Sequence, residues 1–350
     1  MKIQTKIIDI IVERFRADAL QTWENYERTK SVLPLAEISR CLPGGAIPVL
    51  VNILTSCPRL GAPSGADGNL AIRLCREIFP PATICLVPQK LLKRDLAFEI
   101  YYAEGESEED SSRVSALAFK SSSDDKFSHC LDELTAELSS RGMSVADIVR
   151  QWNYVPNIVG NPKTHAPAEY SQFNAARRAS YGKMKTPPAA TGIGADGEEF
   201  TLIALAGKRK KYAIENPLQV PAQEYSNLAE TPLFSRAMYL DGGTCLISGT
   251  AAILGEESLD GGLAEQTAQT VANIQKLISR ENIMQFVEDL PAGNIEVCTL
   301  RVYIKRGENP DIAEEIIRRT FPQTEIAFLE ADICRPELLV EIEGVGQLNG

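Results

Sequence analysis

The clearest alternation of apolar and polar positions lies near the C-terminal end, where Leu338, Val340 and Ile342 alternate with Leu339, Glu341 and Glu343. A period of two is the signature of a half-buried strand. Upstream, Cys298, Leu300, Val302 and Ile304 alternate with Thr299, Arg301 and Tyr303, which predicts a strand over Ile295–Lys305. Leu263, Thr267, Val271, Ile274 and Ile278 instead recur every three or four residues, so Gly262–Arg280 is expected to be an amphipathic helix. Asn309–Arg319 is another helix, with Pro310 in the first turn, where its missing N–H is no loss. Thr324–Leu329 is a strand. Thr244–Ser248 and Thr250–Leu254 are short strands around Gly249, whose place in an apolar run marks a bulge or a close approach of a ligand to the backbone.

The middle of the chain gives the same order: a helix at Leu131–Leu138, a strand at Val145–Val155, a helix at Glu169–Gly182 and a final strand at Phe200–Ala206. Two copies of one α+β unit are therefore expected, each a mixed β-sheet with helices packed on one face. They differ in the last strand, where the second copy has Glu341 and the first has Ile203 and Ala204. Gly207–Lys211 and the Pro-interrupted stretch Pro217–Pro232 join the copies, which places the domains at 1–228 and 229–350. Thr191–Gly197 reads as a turn between strands, since no helix with a downstream acid follows it as a dinucleotide fingerprint requires. Residues 105–128 read as an exposed, mobile loop. Residues 1–90 offer only an N-terminal amphipathic helix.

Composition narrows the function. A net charge of −11 argues against nucleic acid or an anionic membrane as a general partner, while leaving room for a local arginine cluster that binds a small anion. No apolar run approaches the ~20 residues needed to span a bilayer, and the charged N-terminus is not a signal peptide. The 8 cysteines form no C-x-x-C pair and read as reduced thiols in the cytoplasm. The 2 histidines, His129 and His165, lie in polar surroundings without the neighbours a metal site or a Ser-His-Asp triad needs. Neither a metal nor a cofactor is expected.

Chemistry is expected from carboxyl and guanidinium groups instead. Glu341 sits between apolar neighbours on a strand, where burial favours the neutral form and suits a proton donor. Cys334 lies just before Pro336, at the bend into that strand, so a thiol and a carboxyl could line one pocket, with a buried Cys and an edge-strand Glu as the alternative reading. Trp152 and Tyr154 share a strand face, which taken alone reads as a core aromatic pair, and Asn174, Arg177 and Tyr181 share a helical stripe. An arginine in such a stripe offers a bidentate fork to a carboxylate, with a structural salt bridge as the equal alternative.

Seven stretches, in order, resemble the chorismatase family, whose halves look like the YjgF/RidA (chorismate-mutase-like) fold. They are Gln151-Trp-Asn-Tyr-Val-Pro156, Gln172-Phe-Asn-Ala-Ala-Arg177, Pro188-Ala-Ala-Thr-Gly-Ile-Gly194, Glu215-Asn-Pro-Leu-Gln-Val220, Phe234-Ser-Arg-Ala-Met238, Leu246-Ile-Ser-Gly-Thr-Ala251 and Cys334-Arg-Pro-Glu-Leu-Leu-Val-Glu-Ile-Glu343. They fall within residues 145–350. The resemblance implies an enzyme that converts chorismate to 3-hydroxybenzoate and pyruvate. Glu341 protonates the enolpyruvyl group, and the ring passes through an arene-oxide-type intermediate. Cys334 and Gly249 fall on the positions that separate the family's branches, and Gly with Cys resembles the 3-hydroxybenzoate branch. Arg177 and Arg301 are the expected holders of the two substrate carboxylates, with Arg236, Tyr154 and Tyr181 in support. Gly255-Glu256 departs from the family's frequent Gly-His, and Ala176 stands where Gly is common. Ile333 stands where the RidA imine deaminases have an arginine, which disfavours that activity. The alternatives are a hydrolytic chorismatase giving a dihydroxycyclohexadiene carboxylate, an enzyme of mixed 3- and 4-hydroxybenzoate output, and a non-catalytic RidA-like binding module. The expected assembly is a monomer or a homotrimer.

Overall fold

The alternating segments of the C-terminal third are strands in the computed structural model, which describes residues 2–9, 42–56, 72, 75, 76, 78–94, 96–104, 114–160, 168–182, 184–226 and 230–350. Ala237–Leu240 (β10), Thr244–Ala251 (β11), Asn294–Ile304 (β14), Glu325–Glu330 (β15) and Val340–Asn349 (β16) build one sheet. Helices Leu263–Leu277 (α3) and Pro310–Thr320 (α4) pack on one of its faces. The apolar stripe of α3, Leu263, Val271, Ile274 and Leu277, lies against Ile247, Leu300, Val302 and Ile342. The start of α4 is fixed by Asn309, whose side chain accepts from Asp311 N–H, and by Pro310 in the first turn.

The middle unit repeats this path. Val114–Ser121 (β5), Ile148–Pro156 (β6), Ala189–Ala195 (β7) and Phe200–Gly207 (β8) form a 4-stranded sheet ordered β5-β8-β6-β7. Lys126–Ser140 (α1) and Tyr170–Tyr181 (α2) cover it. β6 and β7 are parallel and β8 is antiparallel to both β5 and β6, as β14 and β15 are parallel and β16 is antiparallel to β11 and β14. The two expected copies are both present.

The N-terminal strands Lys2–Asp9 (β1), Ile47–Thr55 (β2), Thr83–Leu92 (β3) and Leu96–Glu104 (β4) follow the same plan. They lie in the order β1-β4-β2-β3, and only β2 and β3 are parallel. Three units thus turn one face of each sheet inward onto a shared core of Ile3, Leu50, Leu54, Trp152, Tyr154, Leu246 and Tyr303. β3 pairs with β15, which joins the first and last units in a 10-stranded sheet with Lys211–Ile214 (β9) at its far edge. Hydroxyl bonds tie the units together: Thr83 Oγ1 donates to Ala116 O, Thr244 Oγ1 accepts from Ile3 N, and Ser248 Oγ accepts from Ala190 N.

Three expectations are corrected. Residues 2–9 are a strand rather than a helix, because their backbone pairs with β4; residues 10–41 lie outside the described residues. The exposed loop expected over 105–128 contains β5 and the start of α1, because Val114, Ala116 and Leu117 are buried against β8 and the core despite their serine-rich flanks. Thr191–Gly197 is largely strand β7, whose glycines pack under Tyr170 and Phe173 and beside the Asp332 backbone. The boundary at 228/229 and His165 lie outside the described residues.

Candidate active site

The middle and last units meet where β7 and α2 face β11 and β16. A cavity opens there, of about 650 Å³ including the open solvent at its mouth. From the last unit come Gly249, Cys334, Arg335 and Glu341; from the middle unit come Asn153, Tyr170, Phe173, Asn174 and Arg177. The connection between the units adds Tyr225, Leu233, Phe234 and Arg236.

Glu341 reaches the cavity because the alternation of β16 sends Val340 and Ile342 to the helix side and Glu341 and Glu343 to the other. It is 5% exposed. Burial first, and the neighbouring charge of Glu343 second, push its carboxyl up to about 8, against smaller pulls from Arg150 and Arg236. At neutral pH Glu341 therefore holds a proton. Gly249 interrupts the β11–β16 register between Ile247 and Thr250, at the expected bulge. A Cβ there would overlap Glu341 Oε1 and lie 2.9 Å from its Cδ. The missing side chain is thus the space the acid occupies.

Three arginines line the cavity with this acid. Arg177 Nε donates to Leu233 O at 3.1 Å, and its guanidinium stacks on the Tyr181 ring, 5.3 Å from the centroid. Arg236 Nη2 donates to Val220 O and to Tyr225 Oη, at 2.8 and 2.5 Å. Arg335 Nη1 donates to Glu256 O and Ser258 Oγ, at 2.8 and 3.1 Å. Each arginine keeps one buried nitrogen without a partner among the described residues: Arg177 Nη2, Arg236 Nε and Arg335 Nη2. Burial lowers Arg177 to about 10, which leaves it cationic at neutral pH. The Glu215 carboxyl interacts with Arg236, while among the described residues no carboxylate forms an ion pair with Arg177 or Arg335, so the site suits an anionic ligand.

Cys334 borders the cavity, and burial, then the Glu341 charge, push its thiol up to about 12. It is a neutral S–H rather than a nucleophilic thiolate. The loop before it is fixed by Gly194 N–H donating to Asp332 O at 2.8 Å, and Gln89 of the first unit donates to Gly194 O at 2.6 Å. Glu256, at the departure from the family pattern, accepts from Ser226 N and Oγ at 2.6 and 2.5 Å. Its turn, between the strands Ile253–Leu254 (β12) and Glu257–Ser258 (β13), thereby holds the connection that carries Tyr225 over the cavity.

Arg301 and Tyr154, expected at the substrate, do not line the cavity. Arg301 is 1% exposed, ion-paired with Glu99 and, at 3.4 Å, with Glu343. Tyr154 Oη accepts from Arg301 Nη1 at 2.5 Å. The strand face that brings them together points into the three-unit core. Tyr181 also lies behind the wall, donating to Gln151 Oε1 at 3.0 Å and backing Arg177. Sequence reasoning missed Tyr170, Tyr225 and Arg335 as lining residues. Arg335 adjoins Cys334 in a quoted stretch, and that adjacency was the available signal. Among the described residues no group of His, Cys, Asp and Glu is placed to hold a metal ion, and no helix is long and apolar enough to cross a membrane.

Comparison with known proteins first gives the class. The crystal structure of a chorismatase matches with a TM-score of 0.71 at 21% identity, over 99% of this chain and 98% of that one. The chain has the chorismatase fold. Residues 114–206 match the family profile described as chorismatase FkbO/Hyg5-like, N-terminal. A 3-hydroxybenzoate synthase of Streptomyces hygroscopicus is 33% identical over 216 residues, 57% of this chain and 63% of the relative. A chorismatase of the same organism is 32% identical over 220 residues, 59% of this chain and 63% of the relative. The chain thus matches somewhat under two thirds of the length of these curated relatives. The resemblance in the seven stretches is borne out by all of these findings.

Proposed function

We propose that this chain is a chorismatase converting chorismate to 3-hydroxybenzoate and pyruvate. One observation carries the proposal: a carboxyl that keeps its proton at neutral pH shares a cavity with three arginines, each with an unpartnered guanidinium nitrogen. Chorismate is a dianion with an enolpyruvyl ether, and these are the groups its two carboxylates and its methylene carbon call for. Arg177, Arg236 and Arg335 take the carboxylate-binding role expected of Arg177 and Arg301.

Glu341 gives its proton to the enol methylene, which becomes the methyl group of pyruvate. The ether carbon turns oxocarbenium-like, and the ring C–O bond breaks with its electron pair staying on the departing pyruvate oxygen. The ring 4-hydroxyl oxygen closes onto the vacated carbon and returns its proton to the Glu341 carboxylate. The resulting arene oxide opens and aromatises to 3-hydroxybenzoate. No water is taken up, since the two products together have the composition of chorismate. General acid catalysis of this kind contributes about 10²–10⁴ in rate. Cys334, as a neutral thiol, fills space beside the ring and excludes the water that the hydrolytic branch consumes.

Incubating the chain with chorismate, assaying pyruvate and separating the aromatic products by chromatography tests this. Pyruvate with equimolar 3-hydroxybenzoate is expected; a dihydroxycyclohexadiene carboxylate assigns the hydrolytic branch, and no pyruvate removes the enzymatic reading. Gly249→Ala with Cys334→Ala should admit water beside the ring and move product toward the diol. For assembly we infer a monomer, supported by three units already closed around one core, and light scattering tests it. The free cysteines among the described residues support a reducing, cytoplasmic setting.

A further inference from the structure

Behind the cavity wall lies a buried charge cluster that the proposed reaction does not use. Glu343 Oε2 accepts from Arg150 Nη2 at 2.6 Å, and Glu343 Oε1 lies 3.4 Å from Arg301 Nη1 and accepts from Trp152 Nε1 at 2.8 Å. Arg301 is paired in turn with Glu99, which also accepts from Asn52 Nδ2 at 2.8 Å. The four charged side chains are at most 3% exposed and alternate in sign across all three units. Thr191 links the cluster to the active site. Its hydroxyl donates to Glu343, accepts from Arg150 Nη2 at 2.6 Å and accepts from Gly249 N at 3.0 Å. The same residue's methyl lies 3.2 Å from where a Gly249 Cβ would stand beside Glu341.

We propose that Glu343 is a positioning residue whose charge, clamped by Arg150, Arg301 and Thr191, keeps Glu341 in its proton-carrying form. Glu99 of the first unit completes the balance. Glu343 against Arg150 and Arg301 alone would leave one uncompensated buried cation, which would draw Glu341 toward its carboxylate. With Glu99 the formal charges of the cluster sum to zero, and Glu343 lies two residues along β16 on the same strand face as Glu341. The other groups facing Glu341 are Arg150 from β6, Tyr170 and Arg177 from α2, Arg236 from the connection, and Cys334 and Arg335 from the loop before β16. The first unit thereby acquires a part in catalysis although it does not line the cavity.

The proposal deepens the chorismatase reading, and its test separates the two. In the full chain, the protonated carboxyl band of Glu341 is titrated by infrared difference against Glu341→Gln, with no substrate present. Glu343→Gln should move the midpoint down by at least one pH unit, and Glu99→Gln should move it the same way by less. In parallel, the rate of pyruvate release relative to wild type should fall about tenfold further at pH 8 than at pH 6 in Glu343→Gln. If Glu343→Gln does not fold, Glu99→Gln, whose amide still accepts from Asn52 and Arg301, carries the test. A folded variant in which Glu341 titrates as in wild type, or which loses rate equally at every pH, overturns the proposal. A shifted band without any turnover of chorismate leaves the positioning role standing and removes the chorismatase reading.

Discussion

Two buried sites in this molecule use the same residue types to opposite ends. In the core cluster, Arg150 and Arg301 face Glu99 and Glu343, and every charged side chain has an oppositely charged partner, although Arg301 Nε itself has none among the described residues. In the cavity, Arg177, Arg236 and Arg335 have nitrogens without a partner, and the one carboxyl, Glu341, is neutral. The two are separated by Thr191 and by two positions along β16. Whether a buried arginine holds the fold or a ligand depends on whether a carboxylate of the chain already answers it.

The comparison breaks most visibly at its paired member. Arg301→Met should destabilise the chain by roughly 3–5 kcal/mol, because Glu99 and Glu343 are left buried without it. A urea midpoint close to wild type would place Arg301 outside the framework. Next comes Glu341→Gln, which should stabilise rather than destabilise. The Glu341 carboxyl titrates near 4.5 unfolded and near 8 folded, so its contribution to stability is fully present below pH 4.5 and is lost as pH rises toward 8. At pH 7 the glutamine variant should gain roughly 3 kcal/mol, and almost nothing at pH 4. Equal urea midpoints for variant and wild type at pH 7 would contradict a neutral buried acid.

On the cavity side, Arg177→Met should raise KM for chorismate roughly tenfold to a hundredfold, the worth of a charge-assisted hydrogen bond, at a smaller stability cost than Arg301→Met. Steady-state kinetics and a denaturation curve on one preparation compare the two arginines directly. An unchanged KM would remove Arg177 from the carboxylate role.

The alternation around β14 and β16 made the elements, the face of Glu341 and the bulge at Gly249 legible in the sequence. The repeat was legible too, down to the missing acid at Ile203 and Ala204. What periodicity shows is which residues of one strand share a face, as Arg301 does with Tyr303 and Tyr154 with Trp152. It does not show what that face meets. Here it meets Glu99, 202 residues away, across the three-unit core. The first unit was illegible for the same reason, since β1 is a strand only through its pairing with β4, 88 or more residues distant in the chain and without a local turn signal. β7 was hidden by its glycines, which read as a turn but let Tyr170 and Phe173 pack close.

The central claim is that Glu341 delivers the proton that releases pyruvate. Its most direct test is the initial rate of pyruvate formation from chorismate at pH 7 by wild type and by folded Glu341→Gln, assayed side by side. The account predicts a loss of about 10²–10⁴ in the variant. Turnover within a factor of about three of wild type would contradict it, since proton transfer would then be worth under 1 kcal/mol at this residue.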